Sequence, residues 1–196
     1  MAHEGLWSQL VALDGEKTAQ NTKCQYDSSR NCYILTMLNA EYAVNVASKE
    51  VIAVKSSAPA QFLEQLVILA YLINAKDLSP TGELVKAETF PSGEFFFKGI
   101  HSLPTAKLEK AFGENPQLLY QAGHSLGAKK CEFGDASIEL FLLPNVSITI
   151  VLWKGDDEFP ARASILFDKT AGSQMPLDAL HAAVKLAVDA LVKNFS

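Results

Sequence analysis

Cysteine is scarce in this chain. Cys24, Cys32 and Cys131 are the only three among 196 residues, and no two form a CxxC pair. An odd, scattered set excludes a disulfide framework and leaves reduced thiols in a cytoplasm as the natural reading. Long apolar runs are also missing. The most apolar stretch, Phe62 to Ile73, is too short to span a bilayer, which takes about 20 residues. The opening Met1-Ala-His-Glu-Gly-Leu-Trp7 lacks a basic region followed by an apolar run, so no secretory signal is expected there. Basic clusters are absent too, since Lys129-Lys130 is the only adjacent basic pair. With 17 basic against 22 acidic residues the net charge is −5. Sequence-independent binding to nucleic acid needs several phosphate-facing cations, so that class is set aside. GxGxxG and GxxxxGK[ST] do not occur, which removes the standard nucleotide cradles. GxSxG and HExxH do not occur either. The expectation is a cytoplasmic protein that binds neither membrane nor nucleic acid and performs no turnover by itself.

What remains is ordinary globular material, 48% hydrophobic and 20% charged. That suffices for one sizeable core, so residues 1–196 are expected to form a single domain. A short helix is expected over 6–13, with the main body from about 25 to 196. From Cys32 the pattern turns to strands. Residues 33–38, 41–46 and 51–54 are short and rich in β-branched and aromatic side chains, with turn residues between them. They read as a three-stranded antiparallel meander. The run 60–75 has no Gly or Pro inside it and is apolar nearly all round, the mark of a buried helix. Leu84 to Phe90 reads as strand or helix. Pro104 to Phe112 reads as a helix ended by Gly113. Asn115 and Pro116 read as the N-cap and first residue of another helix, which stops at Gly127. Strands follow over 137–143, 146–153 and 163–167. Pro176 opens a last helix, in which Leu177, Leu180, Val184, Val188, Leu191 and Phe195 recur at spacings of three and four. Strands and helices segregate rather than alternate. The fold class is therefore α+β: antiparallel sheets, a buried central helix and an amphipathic C-terminal helix.

The segment Trp153-Lys-Gly-Asp-Asp-Glu-Phe-Pro160, running on to Asp168, sets three consecutive acids between two apolar strands. A buried carboxylate without a partner is costly, so the acids need a role. Two are open. Asp156, Asp157, Glu158 and Asp168 bind a hard cation through oxygen, or the acids cap backbone amides in a turn. One of Asp156 and Glu158 is expected to cap, the other to face a cleft with Asp168. His101 follows the aromatic run Phe95-Phe-Phe97, and a neutral imidazole there could ligate a metal or tetrapyrrole iron against an apolar wall. His124 and His181 are expected on helix surfaces, and His3 in a frayed terminus. Cys131, beside Lys129-Lys130, is either a plain edge cysteine or a thiol with a lowered pKa.

Leu78-Ser-Pro-Thr-Gly-Glu83, Phe95-Phe-Phe97, His101-Ser-Leu-Pro104, Phe112-Gly113, the Trp153–Pro160 segment and Leu166-Phe-Asp168 together resemble an uncharacterised domain family of anaerobic bacteria and methanogenic archaea. The resemblance covers residues from about 25 to the C-terminus. Some members carry an added iron–sulfur domain like that of the corrinoid iron–sulfur protein, with a CxxCGxxxC-type cluster. This chain has no such cluster, so no iron–sulfur centre is expected. The resemblance implies an anaerobic context and cofactor-linked work. The expected function is a small-molecule or cofactor-binding protein, with haem or a corrinoid as ligand and an anaerobic enzyme as partner. His101, Phe96, Trp153, Asp156, Glu158 and Asp168 form the candidate binding set, with His101 as the metal ligand. The alternatives are a metal-dependent hydrolase using Asp156, Glu158 and Asp168, and a partner-binding adaptor.

Overall fold

The computed structural model describes residues 3–195. The chain opens with helices α1 (Glu4–Val11) and α2 (Gly15–Thr22). The second was not expected. Its sequence GEKTAQNT carries no apolar stripe to announce it, but the Asp14 side chain caps it by accepting from the Lys17 amide. Strands β1 (Gln25–Asp27), β2 (Cys32–Met37), β3 (Ala40–Asn45), β4 (Glu50–Ala53) and β5 (Ala58–Pro59) form one antiparallel sheet in chain order. The expected meander is its centre, and β1 and β5 are short edges added to it.

Helix α3 (Phe62–Asn74) buries six consecutive residues, Val67 to Leu72. A helix enclosed on every side needs no polar face, which is why its sequence has none there. Its start is fixed by Glu64, whose carboxylate accepts from the Gln61 backbone N–H at 2.6 Å and from the Tyr42 hydroxyl at 2.9 Å. At its far end the Tyr71 hydroxyl donates to the Thr22 carbonyl and accepts from the Asn145 amide.

The second sheet is also antiparallel. It takes β6 (Leu84–Val85), then β10 (Arg162–Asp168), β9 (Val146–Trp153), β8 (Ala136–Leu143) and β7 (Lys129–Cys131), in that spatial order. Between β6 and β7 the chain forms a 3-10 turn at Ala87–Thr89 and helices α4 (Gly93–Phe96), α5 (Thr105–Phe112) and α6 (Leu118–His124). The stretch 84–90 is thus neither one strand nor one helix. Helix α6 begins two residues later than Pro116, after a tight turn in which the Leu118 and Leu119 amides donate to the Asn115 and Pro116 carbonyls. The C-terminal helix α7 (Leu177–Phe195) packs on α3, α5 and α6. Buried apolar side chains from both sheets and from α3 and α7 join one hydrophobic cluster. The fold class is α+β as expected. No helix among the described residues is long and apolar enough to cross a membrane.

Candidate functional site

The acids flanking β10 lie at opposite ends of that strand. Asp156 sits in the turn before it. Its carboxylate accepts from the Glu158 amide at 2.9 Å and the Phe159 amide at 2.7 Å, while its own amide donates to the Phe159 carbonyl. The Phe159 and Glu158 amides hold its carboxyl below the usual carboxylate range. Asp156 is therefore the capping acid, and Glu158 is exposed. Trp153 ends β9, with the Arg162 guanidinium 5.3 Å from its ring centre.

Asp168 ends β10, 1% exposed. One carboxylate oxygen accepts from the Thr81 and Gly82 amides at 2.8 and 2.7 Å. The other accepts from the Thr170 amide and hydroxyl at 2.9 and 2.7 Å. Burial pushes this carboxyl up, but the bonds from Thr170, Gly82 and Thr81 outweigh burial and hold it below its ordinary value. Six residue steps along a strand separate Arg162 from Asp168, roughly 20 Å. The expected pairing of a turn acid with Asp168 in one cleft does not form, because β10 is extended between them. Among the described residues no group of three or more His, Cys, Asp or Glu is placed to hold a metal ion.

The aromatic run is brought to His101. The Phe96 ring stacks on the His101 ring at 4.5 Å, 11° from parallel. His181 stands edge-on to His101 at 5.7 Å. His181 was expected on the helix surface but is buried, with Nε2 3.3 Å from the Ser102 carbonyl oxygen. Burial lowers its pKa, against the pull of that hydrogen bond. The signal was available: His181 lies four residues after Leu177 and three before Val184, on the docked stripe of α7. His124 is exposed. His3 is not frayed, since its ring packs 4.3 Å from Phe62 and its Nε2 lies 3.0 Å from the Phe62 carbonyl oxygen. The Cys131 thiol is not activated. Burial and then Glu139 raise its pKa, and the neighbouring ammonium of Lys130 lies over the Tyr120 ring.

One feature was not legible in the sequence. Strand β6 pairs only with Phe167 and Asp168, then turns away at Lys86 into the 3-10 turn. Residues 162–166 of β10 are left without a strand partner on that edge, where α5 packs against the strand, and they line a cleft of about 330 Å³. Lys86 and Glu88 line it, as do Phe97, Ser102 and Leu103. Backbone groups alternate in direction along an antiparallel strand. The Lys169 amide donates to Glu83 across the β6 edge, and the Ala163 amide points to the same side, where it donates to the Glu109 carboxylate of α5 at 3.0 Å. Ile165 between them faces the same way, and its amide has no protein acceptor among the described residues. The opposite edge of the sheet is the short β7, which carries Lys129 and Lys130, a common guard against stray strand pairing. On the β10 edge the one charged side chain among residues 162–166 is Arg162, at the outer end.

Compared with curated proteins and with solved structures, the chain finds no significant match. The family model described as Domain of unknown function (DUF3786) matches residues 14–190, and the chain belongs to that family.

Proposed function

We propose that this domain is a non-catalytic binding module and that its ligand site is the cleft along the β10 edge. The observation that carries this is the unpaired strand edge at the floor of that cleft. A buried strand edge whose N–H and C=O groups lack protein partners is set up to bind something that supplies them. Lys86 and Arg162 line the same cleft, and neither enters an ion pair among the described residues. The ligand is accordingly expected to carry a carboxylate. An anaerobic enzyme partner fits this reading as the source of the ligand. Titrating ¹⁵N-labelled protein with short acyl-peptides and with small dicarboxylates tests it. Shifts concentrated at residues 162–166 and 86–88 are expected. Shifts spread evenly over the surface, or none at those residues with any probe, would refute it.

A second reading keeps a haem or corrinoid with His101 as ligand. Its support is the stacked pair Phe96–His101, together with the His101 ring nitrogens, which hydrogen-bond to no described residue. Against it, neither His101 nor Phe96 lines the cleft. Absorbance during titration with haem and with hydroxocobalamin decides. A histidine-ligated spectrum that His101→Ala abolishes would support this reading, and an unchanged spectrum in that variant would end it.

A further inference from the structure

The occupant of the cleft can be named more closely, an inference that rests on the β10 edge being the binding site. Strand β10 spans seven residues, and β6 covers two of them. Continuing the register of β6, in which Val85 faces Phe167 and Leu84 faces Asp168, would set the next residues against Leu166, Ile165, Ser164 and Ala163. The chain instead leaves the sheet at Lys86. The stretch without a strand partner is five residues long, roughly 17 Å at the rise of a strand. Ile165 supplies a free N–H and C=O to it, and Ala163 a free C=O. The Ala163 N–H is already taken by Glu109.

Two occupants are available to an exposed strand edge: a second copy of the same edge, or a separate extended segment. The edge here is recessed. Phe97, Ser102 and Leu103 rise beside it, as do Lys86 and Glu88. A second copy would bring an edge recessed in the same way, and two recessed edges cannot reach each other. An unstructured segment, free of its own sheet, can enter. Charge narrows its composition. Arg162 stands at the first residue of the stretch, and Lys86 stands where β6 departs at the other end. Between them the apolar Phe97, Leu103, Ile165 and Leu166 are interspersed with the hydroxyls of Ser102, Thr105 and Ser164, and Glu88 shares the wall with Lys86.

We propose that the cleft binds an extended segment of a partner protein, with apolar and hydroxyl-bearing residues alternating at its centre and acidic residues at both ends, which adds to the sheet as a strand against residues 162–166. Main-chain hydrogen bonds to Ile165 would hold it, and Arg162 and Lys86 would set its ends.

The probe is a blocked hexapeptide, acetyl-Glu-Val-Thr-Val-Thr-Glu-amide. Binding is followed by calorimetry and by hydrogen exchange at the Ile165 amide. Peptide binding with slowed exchange at Ile165 is the expected result. Ile165→Pro removes the donor on that edge and leaves the hydrogen bonds to β9 intact, because those come from the even-numbered residues. It should weaken binding about tenfold, the loss of roughly one good hydrogen bond with its backbone fit. Since that variant also alters a buried side chain, the exposed double variant K86E/R162E serves as a second test. It should weaken the acidic peptide and spare an otherwise identical peptide ending in Gln. Peptide binding with unprotected Ile165 would overturn strand addition. Equal affinity for the Glu-ended and Gln-ended peptides would overturn the acidic ends. Protection of Ile165 that appears with protein concentration, without peptide, would make a second copy the occupant. Small dicarboxylates that shift the cleft residues while no peptide binds would leave the binding module standing and end this inference alone.

Discussion

The carboxylate of Glu109 on α5 accepts a hydrogen bond from the backbone N–H of Ala163 on β10, at 3.0 Å. It closes one donor of a strand edge that β6 leaves bare. Glu109→Ala would leave that N–H, on a residue only 7% exposed, without an acceptor. A cost of about 1–2 kcal/mol is expected, because a buried donor left unsatisfied loses its hydration as well as its bond. Glu109→Gln retains a carbonyl oxygen and should recover most of it. Denaturant melts combined with amide exchange at Ala163 check this. Wild-type stability and exchange in Glu109→Ala would show that the bond does not matter.

Asp168 should give the protein an acid-sensitive component of stability. Its folded-state pKa lies below the ordinary 3.8. A carboxyl depressed in the fold stabilises fully above its unfolded pKa, and that contribution is lost as pH falls through the folded pKa. The loss therefore falls below about pH 4, where the unfolded chain takes up the proton first. Asp168→Asn should cost about 2–3 kcal/mol at pH 7, since five donors, the amides of Thr81, Gly82 and Thr170 and the hydroxyls of Thr81 and Thr170, lose a charged acceptor. It should also flatten the acid limb of the stability curve. A variant that melts with the wild-type acid profile would place the acid sensitivity elsewhere.

Residues that report on one element were readable from the sequence, and residues that report on relations between elements were not. The stripe from Leu177 to Phe195 gave α7 because one helix face carries its own record. Val67 to Leu72 gave a buried α3 for the same reason. The acids were different. Asp156 and Asp168 are twelve residues apart in sequence, and only the extended β10 between them decides that they never meet. Nothing in Leu84–Phe90 says that β6 lasts two residues, because its departure at Lys86 is set by the 3-10 turn and by Phe90 packing on Phe167 at 5.4 Å. The resulting open edge is a property of pairing, which periodicity does not encode.

The acidic turn offers a clean separation of roles. All three acids are exposed, but Asp156 caps two backbone amides, whereas the side chains of Asp157 and Glu158 accept no hydrogen bond from a described residue. Asp156→Ala should lower the melting temperature and loosen the 155–160 turn. Glu158→Ala and Asp157→Ala should leave both unchanged. Matched thermal melts of the three variants, with amide exchange at Phe159, test it. Equal losses at all three acids would mean that the turn is held by charge rather than by its cap.

Gly93 fixes the wall of the cleft from beneath. A Cβ at this position would lie 2.2 Å from the Ala87 carbonyl oxygen and 3.3 Å from the Phe90 Cβ. Backbone cannot yield as a flexible side chain can. Gly93→Ala must therefore push α4 away from the 3-10 turn, and Phe97, one residue beyond that helix, moves with it. A loss of about 1–3 kcal/mol is expected, the usual cost of overpacking. Gly5 in α1 is the matched control, with nothing within 4 Å of its added Cβ. There the same substitution should stabilise by up to about 1 kcal/mol through helix propensity alone. Chemical denaturation of both variants measures the opposite signs. Ring-current shifts on Phe97 and Phe167, whose centroids lie 6.2 Å apart, show whether the wall has moved. If Gly93→Ala is as stable as the parent and those shifts stay in place, then α4 does not rest on the turn at Ala87.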